Sequence, residues 1–407
     1  MLVFLAIVGP GLITATVDND APGILTASVA GARFGYDLLW TLIPILILLI
    51  LVQEMCARMG VVTGKGLADL IREEYGLRVT FLLMAALVVT NLGNIVAEFA
   101  GVASSLEIFG VTRYISVPLG ALLVWGLVVK GTYRSVEKVF LLACFFYLAY
   151  FVSAFLAEPD WGEALRSTVQ PQFRSDPMYL ALMVGMIGAV IAPWMQFYQQ
   201  SAVVEKGITR EHFREARWDV ILGAVFSAAL VFFIIVGCAV TLHEAGEYDI
   251  NDAADAARAL EPLAGRWASV LFAAGLCNAS LLAATVLPLA TAYYVCEGLG
   301  LESGVDRKFR EAPAFYWLYT ALVFGGAAVV LLPNLPLMYV ILLSQIVNGF
   351  LLPFILFFIL RLSSRQDLMG EYRNHRMFNS IAWLAFVVLI SLNLTLLFQS
   401  DAGIPLD

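Results

Sequence analysis

The chain is short of charge. Only 14% of its 407 residues are Asp, Glu, Lys or Arg, while 61% are apolar. Soluble globules carry about a quarter charged residues, so a soluble fold is excluded and a polytopic membrane protein is expected. Residue-per-domain estimates made for soluble chains do not apply. Histidine is nearly absent: His212, His243 and His375 are the only three. The pair His243-Glu244 lacks the second His of a zinc-protease motif, and neither a glycine-rich phosphate loop nor a hydrolase nucleophile signature occurs. No enzyme activity and no resident cofactor are therefore expected. The five cysteines, Cys56, Cys144, Cys238, Cys277 and Cys296, show no paired spacing and read as buried small apolar residues rather than disulfides or zinc ligands. The first apolar run has no basic start, so no cleavable signal peptide is expected.

What is present is a series of long apolar runs. Eleven spans of adequate length are predicted, near residues 2–33, 37–58, 79–106, 114–130, 136–157, 177–206, 216–243, 265–298, 313–333, 336–361 and 378–399. Eighteen of the 24 Lys and Arg fall in the connections after the even-numbered spans. The positive-inside rule then places the N-terminus in the cytoplasm and the C-terminus outside a cell membrane. The net charge of −8 carries little information, because the signs are sorted by side. Outer acids such as Glu244, Glu247, Asp249, Asp252 and Asp255 read as a solvated face.

Two spans carry helix breakers. In span one, Asp18-Asn19-Asp20 precedes Ala21-Pro22-Gly23. A carboxylate at the bilayer centre costs at least about 3 kcal/mol. Pro22 lacks a backbone N–H, and Gly23 tolerates non-helical dihedrals. Broken helices at membrane depth persist only where they line a cavity or are buried in protein, and in transporters they hold substrate and ions. Acidic oxygens there point to a cation. In span six, Gly188 and Pro193 interrupt an apolar run followed by Gln196, Gln199 and Gln200. Breaks five spans apart are the mark of five-plus-five inverted repeats. The expected organisation is a first repeat over residues 1–157, an outer linker over 158–176, a second repeat over 177–361 and an added span at 378–399.

Several blocks resemble the Nramp family of divalent-metal transporters. They are Gly9-Pro10-Gly11, Ala30-Gly31-Ala32-Arg33-Phe34-Gly35-Tyr36, Ala57-Arg58-Met59-Gly60-Val61-Val62-Thr63-Gly64-Lys65, Ser344-Gln345 with Leu352-Pro353, and Leu368-Met369-Gly370-Glu371-Tyr372. The resemblance runs from about residue 6 to 380. It implies an all-α membrane protein of LeuT-like 5+5 inverted-repeat fold, with 11 transmembrane helices, helices one and six unwound at the midplane, working by alternating access.

The ligand motifs depart from the family. Where it has Asp-Pro-Gly-Asn, this chain has Asp20-Ala21-Pro22-Gly23; the carboxylate is kept and the Asn ligand has become Gly23. Where it has Ala-x-x-Met-Pro-His-Asn, the row Ala189-Val190-Ile191-Ala192-Pro193-Trp194-Met195-Gln196 puts Ala192 at the Met position. An ungapped alignment puts Pro193 there instead; either way the thioether is missing. A thioether favours softer transition metals, whereas Mg²⁺ keeps several waters and takes one or two carboxylates. The pattern resembles the divergent Nramp-related magnesium transporters and implies Mg²⁺, with Mn²⁺ second, as cargo. Expected metal-site residues are Asp20, Gln345, Gln196, Asn19, Asp18, Ala189 and Ala192; Gly23, Trp194, Met195 and Glu98 are expected along the cavity or pathway. Trp194 either fills the volume of the missing His or walls the aqueous path.

Nramp proteins relay protons through acids in span three, histidines in span six and arginines in span nine. Here span six has no His, span nine has no charge, and in span three Glu98 remains while Ile95 stands at the preceding acid position. Uncoupled transport is expected, driven by the ion gradient and an inside-negative potential worth about 2.3 kcal/mol per charge per 100 mV. Glu54 is expected to pair with Arg58, and Asn91 and Asn94 to bond between helices. The expected partners are divalent metal ions and the lipid bilayer, with no nucleic acid and no obligate protein partner. Two alternatives are a proton-coupled Mn²⁺/Fe²⁺ importer and a sodium-coupled organic solute symporter; the acid pair argues against the second.

Overall fold

The computed structural model describes residues 17, 19–130, 148–250, 253–257, 259, 265–304 and 307–400. Helices make up its framework, with no strand among the described residues. Among the described residues eight helices are long and apolar enough to cross a membrane, and Arg113–Val129 is a shorter apolar one. Span one is described from its break onward, as Ala21–Phe34. Span two is Leu42–Thr63. Span three lies in Leu67–Glu107, where Gly76 (φ 80°) separates a short leading helix from the membrane part. Span four is Arg113–Lys130, and of span five Leu148–Leu156 is described. Spans seven to eleven are Phe213–Cys238 with a π-turn at Ala239–His243, Ala268–Leu299, Pro313–Val330, Leu337–Ser363 and Arg376–Ser400. Asp18 and residues 131–147 lie outside the described residues. The four described cysteines form no disulfide.

Span six is broken as expected, into Pro177–Val190 and Pro193–Glu205, with Ile191 and Ala192 between them. Gly188, expected to help break it, sits inside the first half. Its role is close approach: a β-carbon there would overlap the Gln345 carbonyl and sit 2.5 Å from the Gly349 amide of span ten. Small residues let membrane helices approach backbone to backbone. The two broken spans form the centre. Every residue of Ala21–Phe34 except Arg33 is buried, and the second half of span six is buried from Pro193 to Val203. Span eleven lies outermost and presents Leu384, Val387, Val388 and Leu394 to the surroundings, a face suited to lipid.

The C-terminal ends of spans one and seven are tied together. The His243 imidazole Nδ1 donates to the Ala32 carbonyl (2.9 Å), and Arg33 pairs with Asp249 (3.5 Å). A short helix, Trp161–Val169, occupies the outer linker and is capped by Asp160. On the opposite side, Glu54 pairs with Arg58 at 3.3 Å as expected. Arg217 joins them at 3.9 Å, and Arg58 reaches the Tyr372 carbonyl and the Asn374 amide oxygen after span ten.

Candidate functional site

Span one restarts as a helix at Ala21 because Asp20 caps it. The Asp20 carboxylate accepts from the Gly23 amide at 2.8 Å, and Pro22 in the first turn needs no partner for a missing N–H. Asp20 is only 7% exposed and Glu98 is fully buried. Their carboxyl groups are close enough to interact electrostatically. Neither Glu98 oxygen has a hydrogen-bond donor in the structure. Two carboxyl groups so placed hold a shared proton or a shared cation between them. The sequence alone left Glu98 isolated in span three; folding brings it to the break of span one.

Asn19 sits at the same break. Its amide donates to the Ser227 hydroxyl of span seven at 3.0 Å. Asn19, Gly23, Thr26 and Ala189 line one small cavity of about 10 Å³ between the two breaks, room for one water. The Thr26 hydroxyl on its wall is buried and has no hydrogen-bond partner. At the span-six break the last rung is Ile191 to the Ile187 carbonyl (2.9 Å), which leaves the carbonyls of the final turn at the gap. Ala192 is the next helix's cap residue and offers no side-chain bond. Gln196 is engaged at both ends: its amide nitrogen reaches back to the Ala192 carbonyl at the gap (3.4 Å), while its oxygen meets Cys56 of span two (4.0 Å). Trp194 stacks obliquely with Tyr198, and both Trp194 and Met195 are buried.

Gln345 is held by a chain of amides. Its oxygen accepts from Asn348 (3.2 Å), Asn348 pairs with Asn94 (3.0 Å), and Asn94 donates to Asn91 (3.1 Å). Asn91 in turn bonds Thr291 and the Leu287 carbonyl of span eight. Asn91 and Asn94 thus bond between helices, as expected. Asn348 went unremarked in the sequence, although its i,i+3 spacing from Gln345 puts it on the same helix face. Among the described residues no three His, Cys, Asp or Glu side chains gather into a metal-ligating group. An ion here would rely on a carboxyl pair, amides and backbone carbonyls, all hard oxygen donors.

A family model described as natural resistance-associated macrophage protein-like, Nramp, matches residues 11–399. The chain belongs to the Nramp family. A relative from Ralstonia nicotianae, named divalent metal cation transporter MntH, is 32% identical over 97% of this chain and 91% of its own length. Another protein of that name, from Aeromonas hydrophila, is 28% identical over 97% of this chain and 95% of its own. The crystal structure of a manganese transporter from Eremococcus coleocola, bound to an aromatic bis-isothiourea compound, superposes with a TM-score of 0.78 at 21% identity. It covers 99% of this chain and 89% of that one. The fold of this Nramp protein is thus the LeuT-like, all-helical membrane fold expected from its sequence.

Proposed function

We propose that this Nramp protein carries divalent metal cations across the cell membrane by alternating access, with partly hydrated Mg²⁺ as chief passenger and Mn²⁺ as second, and without proton coupling. The observation that carries the cation reading is the burial of two interacting carboxyl groups, Asp20 and Glu98, at the span-one break. Divalent cations are also what the named relatives are described as transporting. The proposed ligands are Asp20 and Asn19 from span one, the carbonyls of Ala189 and Ala192 from span six, and Gln345 from span ten. Gln196 would have to swing from its contact with Cys56 to join them. Gly23, Trp194, Met195 and Glu98 are assigned to the pathway, and Asp18, next to Asn19 in the chain, is assigned as a further ligand.

The Mg²⁺ preference rests on Gly23 and Ala192, which supply neither an amide nor a thioether at the two ligand positions, although the Met186 side chain lines the cavity between the breaks. The cavity of about 10 Å³ is far smaller than a hydrated ion, so the passenger enters in a state where spans one and six part. Absence of proton coupling is supported at Ile95. It stands where relatives have a relay acid, is fully buried, and packs against Gly326 of span nine, where a β-carbon would meet Ile95 Cγ2 at 2.5 Å. This dry contact offers no proton a place to stop. The assigned orientation is N-terminus inside and C-terminus outside, and the two repeats are assigned to residues 1–157 and 177–361.

The Asp20–Glu98 pair also favours a second reading, proton-coupled Mn²⁺/Fe²⁺ import, because two neighbouring buried carboxyl groups can share a proton. Proteoliposomes with a lumenal pH dye separate the two. The proposal expects millimolar Mg²⁺ to enter, Mn²⁺ to compete, and lumenal pH to stay level. Lumenal acidification in step with uptake, or trace Fe²⁺ or Cd²⁺ outcompeting Mg²⁺, establishes the second reading instead.

A further inference from the structure

A second acidic cavity lies at the far end of span six, on the side assigned to the cytoplasm. It has a volume of about 430 Å³ and is walled by Ser201 and Glu205 of span six, Tyr293 and Glu297 of span eight, and Arg307 of the following loop. Tyr293 donates its hydroxyl to Glu205 Oε2 at 2.5 Å. Ser201 is 4% exposed and its hydroxyl has no hydrogen-bond partner; Glu297 Oε2, also buried, has none either. The Glu297 carboxylate lies against Gly66, where a β-carbon would overlap it and force the side chain to shift. Arg72 does not neutralise it: one guanidinium nitrogen bonds the Glu297 backbone carbonyl (2.6 Å) and another pairs with Asp69 (2.8 Å). Arg307 pairs outward with Glu302 at 3.4 Å.

Buried oxygens without a protein partner are costly unless something in the adjoining space bonds them. The donors here are two carboxylates and hydroxyls, the set that hard divalent cations take together with retained waters. We propose that this cavity is a second divalent-cation site, held by Glu205 and Glu297 with Ser201, and occupied by the ion between the central break and the cytoplasm. This rests on the cation-transport reading above. Geometry favours a way-station: Gln196 and Glu205 lie on one continuous helix, Pro193–Glu205, nine residues or about 14 Å apart. The cavity thus lies about two and a half helical turns beyond the break, towards the side assigned to the cytoplasm.

The test is Mn²⁺ titration of the full chain in nanodiscs, followed by electron paramagnetic resonance and calorimetry. The unchanged protein should show two classes of bound Mn²⁺. The double variant Glu205→Gln/Glu297→Gln should lose one class, and Asp20→Ala should lose the other. Ser201→Ala, which keeps both charges, should weaken only the class that the double variant removes, by about threefold to tenfold. Equal Mn²⁺ stoichiometry in the double variant and the unchanged protein would overturn the second site. So would a single class in the unchanged protein that Asp20→Ala removes. Two classes surviving in Asp20→Ala would instead sink the central-site reading and leave the second site to be judged on the glutamate variants. If the double variant fails to fold, unchanged affinity of both classes in Ser201→Ala overturns the proposal.

Discussion

The two broken spans solve the same problem in different ways. At the span-one break the new helix begins under a carboxylate: Asp20 caps Gly23 and lies against Glu98. At the span-six break the new helix begins under Ala192, which has no capping side chain, and Pro193 reduces the number of amides to satisfy. A helix N-terminus attracts negative charge. Span one supplies it internally, so that end is already neutralised. Span six leaves its N-terminus bare and contributes carbonyls from the preceding half. Charge therefore enters the centre from span one, while span six sets which polar or soft groups surround an ion. Affinity should follow the first break and selectivity the second.

The largest expected effect follows from removing that charge. Asn is as good a helix cap as Asp, so Asp20→Asn should fold with nearly unchanged thermal stability. Calorimetry should nevertheless show divalent-ion binding at the break weakened by about 100-fold or more, about 2.8 kcal/mol. Asp20→Ala should lose that binding and also about 1 kcal/mol of stability with the cap. Should Asp20→Asn bind as the unchanged protein does, the division of labour between the breaks is wrong.

Both breaks could be read in the sequence because each is a local anomaly in an apolar run: acids before Pro22-Gly23 in one, Pro193 in the other. The partnership of Asp20 with Glu98 could not, since it depends on how span three packs on span one, and no periodicity encodes that. Gly188 was misassigned for a related reason. A glycine in a helix has the same letter whether it breaks the chain or admits a neighbour's backbone, and only span ten reveals the second role. Two features were within reach. Asn348 lies one helical turn from Gln345, and Asp160-Trp161-Gly162-Glu163 is a cap-and-acid spacing that announces the outer helix Trp161–Val169. Glu98 reads as a lone acid in the sequence because spans three, six and nine offer it no second relay group, whereas its acidic neighbour, Asp20, stands in span one.

A smaller effect is expected where span six touches span ten. Gly188→Ala would push a methyl group into the Gln345 carbonyl and the Gly349 amide, which are backbone atoms and cannot step aside. Overpacking of this kind costs about 1–3 kcal/mol. A thermal-shift assay should show a lowered midpoint, with Mg²⁺ affinity reduced only as far as Gln345 is displaced. Unchanged stability would mean that the two helices are further apart than described here.

The smallest effect probes selectivity alone. Ala192 is 3% exposed and contributes no side-chain donor at the second break. Ala192→Met brings a thioether to that gap. Sulfur adds affinity for Mn²⁺, which is softer, and none for Mg²⁺. The ratio of Mn²⁺ to Mg²⁺ affinity should rise by about threefold to tenfold, at most about 1.4 kcal/mol, while the charge-dependent part of binding stays with Asp20. Competition of Mg²⁺ against Mn²⁺ uptake in proteoliposomes reads this ratio directly. A larger side chain also fills space, so Ala192→Leu serves as the size control: it should slow both ions alike and leave the ratio flat. A shift of the same size in Ala192→Leu would assign selectivity to the volume at the second break instead of to the chemistry of the sulfur.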